Sequence, residues 1–175
     1  MTKRIVILGY MGSGKSTIAE KLSKETTKKM VDLDDYIEKK EKLSIPQIFK
    51  TKGEIYFRKI ERAYLKELLD DSTIAIISLG GGTPCYGDHL ELIQKTENLA
   101  SVYLSVPLKT LTDRLYQEKK NRPLISHLDT KEMLEDFIRK HLFERSFYYN
   151  QADIVIQTES KSVDKITDEI KTKLL

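Results

Sequence analysis

The stretch Arg4-Ile5-Val6-Ile7-Leu8 runs directly into Gly9-Tyr10-Met11-Gly12-Ser13-Gly14-Lys15-Ser16-Thr17, and a helical pattern of apolar residues at Ile18, Ala19 and Leu22 follows at once. A short apolar strand that turns through glycines into a helix is the first half of a βαβ unit, which commits the chain to parallel strands. The spacing G-x-x-x-x-G-K-S says more. Glycines at 9, 12 and 14 let the backbone curl with its N–H groups inward, so that several donors and the positive end of the helix converge on phosphate oxygens. Lys15 then reaches the outer phosphates of a nucleotide, and Ser16 offers its hydroxyl to Mg²⁺. Gly12, Ser13, Gly14, Lys15, Ser16 and Thr17 are the expected nucleotide-binding residues.

The rest of the chain repeats the alternation. After a helix over residues 15–24, residues 30–33 read as a short strand ending in acids, and Asp34 is positioned to cap a helix over 35–40. Ser44 and Pro46 mark another helix start, and Gly53 breaks the pattern before the long apolar periodicity Ile55, Phe57, Ile60, Tyr64, Leu65, Leu68. Residues 73–79 form a nearly continuous β-branched run, the pattern of a strand buried on both faces, and it stops at Gly80-Gly81-Gly82. Further strands are expected at 100–104 and 154–156. Helices are expected from Pro107 to 117, over 130–150 and at the C-terminus, with a polar stretch between 117 and 129. Strands alternating with helices give an α/β fold with a parallel sheet covered on both faces and ligands at the carboxyl ends of the strands.

With 175 residues there is room for one full core and not for two ordinary domains. No apolar run approaches the ~20 residues of a membrane span. Only four apolar residues separate Met1-Thr2-Lys3-Arg4 from the glycine loop, which is not a signal-peptide pattern, so a cytoplasmic chain is expected. The single cysteine, Cys85, excludes an internal disulfide. A net charge of +3, with its lysine pairs interleaved among acids, gives no case for nucleic acid.

Beyond the loop, three groups carry chemistry. On a strand, Asp32 and Asp34 share a face, so both carboxylates can enter the phosphate crevice. One suits the water shell of Mg²⁺ and the other a hydroxyl that must lose a proton; an acidic strand end that merely caps the next helix is the plainer alternative. Three successive glycines at 80–82 let backbone N–H groups approach a small polar ligand. Arg58, Arg122 and Arg145, taken singly, each read as a solvated surface charge ahead of a ligand contact, because arginine is mostly exposed.

In this order the motifs resemble the shikimate kinase family, over essentially the whole chain. The matching segments are Gly9 to Thr17, Asp32-Leu33-Asp34-Asp35, Ile45 to Phe49 followed by Gly53-Glu54-Ile55-Tyr56-Phe57-Arg58-Lys59-Ile60-Glu61, Gly80-Gly81-Gly82, and Arg122-Pro123-Leu124. The resemblance implies transfer of the γ-phosphoryl group of Mg·ATP to the 3-hydroxyl of shikimate, in chorismate and aromatic amino-acid biosynthesis. It also implies a three-layer P-loop kinase fold: a five-stranded parallel sheet of order 2-3-1-4-5 in a single domain, with a substrate-binding insertion over 34–61 and a lid over 116–129. Carried over by position, Lys15, Asp34 and Arg122 are catalytic, Asp34 being the base. Asp34, Arg58, Arg145, Gly80, Gly81 and Gly82 bind shikimate, the two arginines through its carboxylate. Ile45, Phe49 and Phe57 cover its ring. Asp32 holds Mg²⁺ through water, alongside Ser16, and Arg114 and Arg122 contact ATP. A monomer with ATP and shikimate as its only partners is expected. The chain departs from the family after Arg145, where Ser146-Phe147-Tyr148-Tyr149 stands in place of the usual proline and leucine.

Gluconate and nucleoside monophosphate kinases of the same fold are the nearest rivals. A nucleotide acceptor calls for phosphate-binding arginines in the insertion, and a gluconate acceptor leaves Arg58, the glycine triplet and Asp34 without explanation. A binding protein that has lost turnover has no use for a lid arginine or a base.

Overall fold

Both faces of β1 (Arg4–Leu8) are apolar, and the strand lies at the centre of a five-stranded parallel sheet of order β2-β3-β1-β4-β5. We describe residues 3–174 from a computed structural model. Strand β1 leads into α1 (Lys15–Thr26), then β2 (Met30–Asp32), α2 (Leu33–Glu41) and the long α3 (Ile45–Asp70). Next come β3 (Ile76–Ser78), α4 (His89–Lys95), β4 (Leu99–Ser105), α5 (Leu108–Glu118), α6 (Lys131–Tyr149), β5 (Ile154–Gln157) and α7 (Val163–Leu174). The two-residue period of the strands divides the core cleanly. Ile5 and Ile7 face Ile18, Leu22, Ile166 and Ile170 of α1 and α7, while Val6 and Leu8 face the opposite layer with Leu33, Ile37, Leu65, Leu115, Leu134 and Tyr149. No helix among the described residues is long and apolar enough to cross a membrane.

The sheet order and the five strands agree with the sequence reading, whereas three local details differ. Helix α4 has no counterpart in that reading, because its seven residues carry too few apolar positions for a periodic signal. The run at 73–79 contributes only three residues to β3, since Asp71 accepts hydrogen bonds from the Thr73 N–H and hydroxyl and holds the approach to the strand in a turn. The cap of α2 is Asp32 and not Asp34: the Asp32 Oδ1 accepts from the N–H groups of Asp34 (3.0 Å) and Asp35 (3.4 Å). Asp34 thus lies in the first helical turn, and strand alternation is not what brings the two carboxylates together.

Helix α3 begins with a capping box. The Gln47 N–H donates to Ser44 Oγ and the Ser44 N–H to Gln47 Oε1. It bends at Gly53, whose φ of 84° and ψ of 172° lie in a region almost confined to glycine. Glu41 ties the two sides of the bend, accepting from Lys52 Nζ (2.9 Å) before it and from the Tyr56 (2.8 Å) and Tyr64 (2.8 Å) hydroxyls after it. At the far end, Arg4 donates from all three guanidinium nitrogens to the carbonyls of Leu68, Leu69 and Ile74, satisfying groups that a helix end leaves unpaired.

The polar stretch after α5 is not devoid of apolar anchoring. Ile125 and Leu128 are buried, one helical turn apart, and Lys119 Nζ donates to the carbonyls of Leu128 (3.0 Å) and Asp129 (3.1 Å). The segment's few apolar residues are too irregularly spaced to register as periodicity, yet the two buried ones pin its C-terminal half to the core.

Open space surrounds the position where a Cβ on Gly53 would stand, so only backbone strain opposes a side chain there. Gly53→Ala is expected to lower the unfolding free energy by about 1–3 kcal/mol in urea titrations. An unchanged midpoint would mean that the bend is relaxed at no cost.

Candidate functional site

At the carboxyl end of β1 the chain curls through the glycine loop, and Gly14 enters α1 with a left-handed φ of 89° that a side chain would oppose. Lys15 follows and folds back: its buried Nζ donates to the carbonyls of Gly9 (2.9 Å) and Tyr10 (3.0 Å). The loop borders a cavity of about 690 Å³, whose lining also includes Asp32, Asp34, Gly81, Arg114 and Arg122. Nucleotide-sized ligands occupy cavities of this order. Arg114 Nη1 donates to the Gly12 carbonyl (3.0 Å). Arg122 pairs with Glu118 through Nε (2.9 Å) and Nη2 (2.6 Å), and Glu118 shares the same wall. Thr158, Lys161, Val163 and Ile166 close the opposite side. The sequence reading missed these four, although the carboxyl end of β5 must open onto the same edge of a parallel sheet.

Within this cavity Ser16 Oγ donates to Asp32 Oδ2 (2.7 Å), while Asp32 Oδ1 is held by the first N–H groups of α2. The donor set is oxygen only, one hydroxyl and one carboxylate. That fits Mg²⁺, which prefers hard ligands, keeps several waters and needs few protein atoms.

Arg58 and Arg145 converge on Gly82, outside the lining of the large cavity. A Cβ on Gly82 would stand 3.2 Å from Arg145 Nη2 and 3.4 Å from Arg58 Nη2, and one on Gly80 would clash with Asp34 Oδ1 at 2.7 Å. On Gly81 it would lie 3.1 Å from the Met11 N of the phosphate loop and 3.6 Å from Arg145 Nη1. The triplet is therefore the floor on which the predicted carboxylate and both predicted arginines converge, and Asp34 and Gly81 also line the large cavity. Of the expected ring-covering residues, Phe57 is buried in the core, Phe49 rests on it with ring centroids 4.6 Å apart, and Ile45 is half-buried.

Several residues that support this arrangement were given no role from the sequence. Glu61 is fully buried, one helical turn beyond Arg58, and accepts from Arg58 Nη1 (2.7 Å) and from the Thr83 hydroxyl (2.7 Å). A buried carboxylate is tolerable only with such partners, and the i,i+3 spacing of Arg58 and Glu61 was the available signal. The Tyr86 ring lies 3.5 Å from Arg58 Cζ, within cation–π range. On α6, the Tyr149 hydroxyl donates to the Gly81 carbonyl (2.5 Å) and its ring stacks on Tyr103. Arg58 Nε is buried and has no hydrogen-bond partner among the described residues, the Glu54 carboxylate standing 3.8 Å away, so an anionic ligand could satisfy it.

Burial, reinforced by the charge of Asp32 and opposed by Lys15, pushes the Asp34 carboxyl up to about 7. Lys15 is moved the other way, to about 8, chiefly by its own burial and against the attraction of Asp34 and Asp32. Burial also raises the Cys85 thiol to about 11, which keeps it protonated although Arg145 and Arg58 lie near.

Comparison with known proteins places the chain in a family. A family model described as shikimate kinase matches residues 11–175. A shikimate kinase of Flavobacterium johnsoniae is 51% identical over 168 residues, covering 96% of either chain. The crystal structure of a Bacteroides thetaiotaomicron shikimate kinase superimposes with a TM-score of 0.86 at 29% identity, covering 99% of both chains. The Acinetobacter baumannii enzyme in complex with shikimate gives the same TM-score at 28% identity over 99% of this chain and 93% of its own. On the family match, the identity over nearly its whole length and the shared fold, this chain belongs to the shikimate kinase family.

Proposed function

We propose that the chain transfers the γ-phosphoryl group of ATP to the 3-hydroxyl of shikimate, giving shikimate 3-phosphate and ADP, with the acceptor beside the two arginines and the nucleotide in the large cavity. The observation that carries this reading is that the glycine triplet brings Asp34, on the wall of the phosphate cavity, beside Arg145 and Arg58, a pair suited to a carboxylate. Arg58 and Arg145 hold the shikimate carboxylate, and the unpartnered Arg58 Nε gains an acceptor there. The backbone of Gly80, Gly81 and Gly82 lies against the ring hydroxyls. Asp34 Oδ1, at the shared edge, accepts the proton of the attacking hydroxyl. Its raised pKa makes it a better base at neutral pH than an exposed aspartate.

On the nucleotide side the work is positioning and charge. Phosphoryl transfer passes through a loose transition state, so the protein contributes alignment and positive charge more than bonding. Lys15 exchanges the carbonyls of Gly9 and Tyr10 for outer phosphate oxygens, and Arg122 exchanges Glu118 for the phosphoryl group in transit. Arg114, above Gly12, is placed for the nucleotide's other end. Mg²⁺, when bound by Ser16 and through water by Asp32, supplies neutralisation of the developing charge. Residues 116–129 act as the lid that excludes water, moving about the anchor at Ile125 and Leu128. The setting we propose is a cytoplasmic monomer whose partners are ATP and shikimate.

Release of ADP by the purified chain should depend on shikimate and not on gluconate or nucleoside monophosphates; comparable turnover of any of those acceptors would overturn the assignment.

Asp34→Asn is expected to lower kcat by about 10²–10⁴-fold, the usual range for loss of a general base. In the parent enzyme kcat/KM should fall tenfold per unit as pH drops below about 7, and the variant should lack this limb. A raised folded-state pKa also means that the stability contribution of the Asp34 proton is present at low pH and lost as pH rises through about 7. Asp34→Asn should therefore raise the melting temperature more at pH 8 than at pH 5.

Removing one partner of a buried charge pair costs roughly 2–5 kcal/mol, so Arg58→Ala and Arg145→Ala should each weaken shikimate binding by at least ~30-fold. Calorimetry with ATP should show little change. Equal losses for both ligands would contradict the carboxylate clamp.

A further inference from the structure

Tyr10 is the first residue of the phosphate loop after its leading glycine, yet its side chain points away from the loop into the core and is only 1% exposed. Its hydroxyl lies 2.9 Å from Nδ1 of His141 on α6, and the two rings meet edge to face with centroids 5.5 Å apart. Phe137, one turn earlier on the same helix, packs edgewise against the other side of the imidazole. Arg145, one turn later, places its guanidinium 5.7 Å from the Tyr10 ring centroid. The backbone of the same tyrosine faces the nucleotide: its carbonyl accepts from Lys15 Nζ (3.0 Å) and from the Ser13 N–H (3.1 Å). One residue therefore touches the lysine assigned to the phosphates through its carbonyl, and the arginine assigned to the acceptor through its ring. Its hydroxyl holds the helix that carries that arginine.

The buried phenol needs a partner, because an unsatisfied hydroxyl in a core costs more than the hydrogen bond returns. Burial and the positive charge of Arg145 lower the His141 pKa to about 4, so its imidazole is neutral at ordinary pH and has one acceptor nitrogen. Whichever of the phenol and Nδ1 donates, the bond ties α6 to the phosphate loop.

We propose that the Tyr10–His141 hydrogen bond is a strut that sets Arg145 against the phosphate loop and makes acceptor binding depend on nucleotide binding. The inference rests on the shikimate kinase reading above and assigns positioning roles to two residues that contact neither substrate. When phosphates draw Lys15 from the Tyr10 carbonyl, that peptide is released, and the strut conveys the adjustment to α6 and its arginine. Part of the coupling between the two ligands is independent of the strut, since phosphates also offset the repulsion between Lys15 and Arg145. Removing the hydrogen bond therefore diminishes the coupling without abolishing it.

The test compares the shikimate Kd measured by calorimetry in the absence and in the presence of saturating MgADP. Tyr10→Phe keeps the ring under Arg145 and removes only the hydroxyl, and His141→Leu removes the partner at a half-buried site and leaves the phenol unpaired. Each is expected to reduce the MgADP-induced tightening of shikimate at least about threefold, the scale of one neutral hydrogen bond, with the Kd of MgADP alone within about twofold of the parent. The double variant should be no worse than either single one, because both remove the same bond. His141→Asn, whose Oδ1 can accept from the phenol, should retain the parent coupling. A residue serving only packing would change the melting temperature and leave the coupling ratio alone. The proposal is overturned if the parent shows no coupling, if Tyr10→Phe and His141→Leu keep the parent ratio, if their losses add, or if MgADP binding falls in proportion. A parent chain that does not bind shikimate at all would overturn the underlying reading, and this inference with it.

Discussion

The parallel pairing of β3 between β1 and β2 is the constraint on which the site's distances depend. Ser78 pairs with Ile7 on one side and with Asp32 on the other. The Leu79 N–H then donates to the Ile7 carbonyl, one step before the glycine triplet begins. The phosphate loop, the acidic pair and the triplet therefore leave the sheet at the same level, from three adjacent strands. A slip of one residue in either pairing would carry Asp32 to the other face of the sheet, away from Ser16. Buried apolar residues on both faces of β1 and β3 oppose such a slip, so the geometry of the candidate site inherits its precision from the hydrophobic core.

Within that frame the site is arranged as a balance of buried charges. Glu61 neutralises Arg58 on the acceptor side, while Asp32 and Asp34 face Lys15 on the nucleotide side. Neither arrangement is self-sufficient. Arg58 keeps a donor without a partner, Asp34 is driven toward its neutral form, and Lys15 relies on loop carbonyls. A site whose charges are held in place but incompletely matched is one that anionic ligands complete. Interactions withheld until the ligands arrive contribute more to the transition state than interactions satisfied beforehand.

The architecture could be read from the sequence because its signals are local. The β-branched run before Gly80, the glycine loop after Leu8 and the caps around Ser44 each state their structure within a few residues. The residues proposed to meet the reactants were assigned for a related reason, since Lys15, Ser16, Asp32 and Gly80 sit where strands end. What could not be read is support from a distance. Tyr149 reaches Gly81 across 68 positions, His141 reaches Tyr10 across 131, and Glu61 becomes a partner of Thr83 only after α3 has packed. No spacing rule connects such pairs. The placement of Asp34 was anticipated for the wrong reason: strand alternation was invoked, whereas a helix N-terminus capped by Asp32 carries it.

Arg4 gives the molecule's first strand a bearing on how a nascent chain reaches this structure. Its guanidinium closes the end of α3 through carbonyls at 68, 69 and 74, and its strand pairs with residues 76–78 and 99–103. During synthesis β1 therefore emerges without partners and must wait for some seventy residues before its first neighbour exists. Parallel strands separated so far in sequence form slowly, and an apolar strand in waiting is exposed to wrong partners. The same arginine puts a charge on that strand before any partner arrives, which discourages association with other chains. In the finished fold its charge sits at the end of α3, where the helix dipole favours a cation. One side chain thus guards the unpaired strand early in the life of the chain and later closes the helix that carries Arg58 and Glu61.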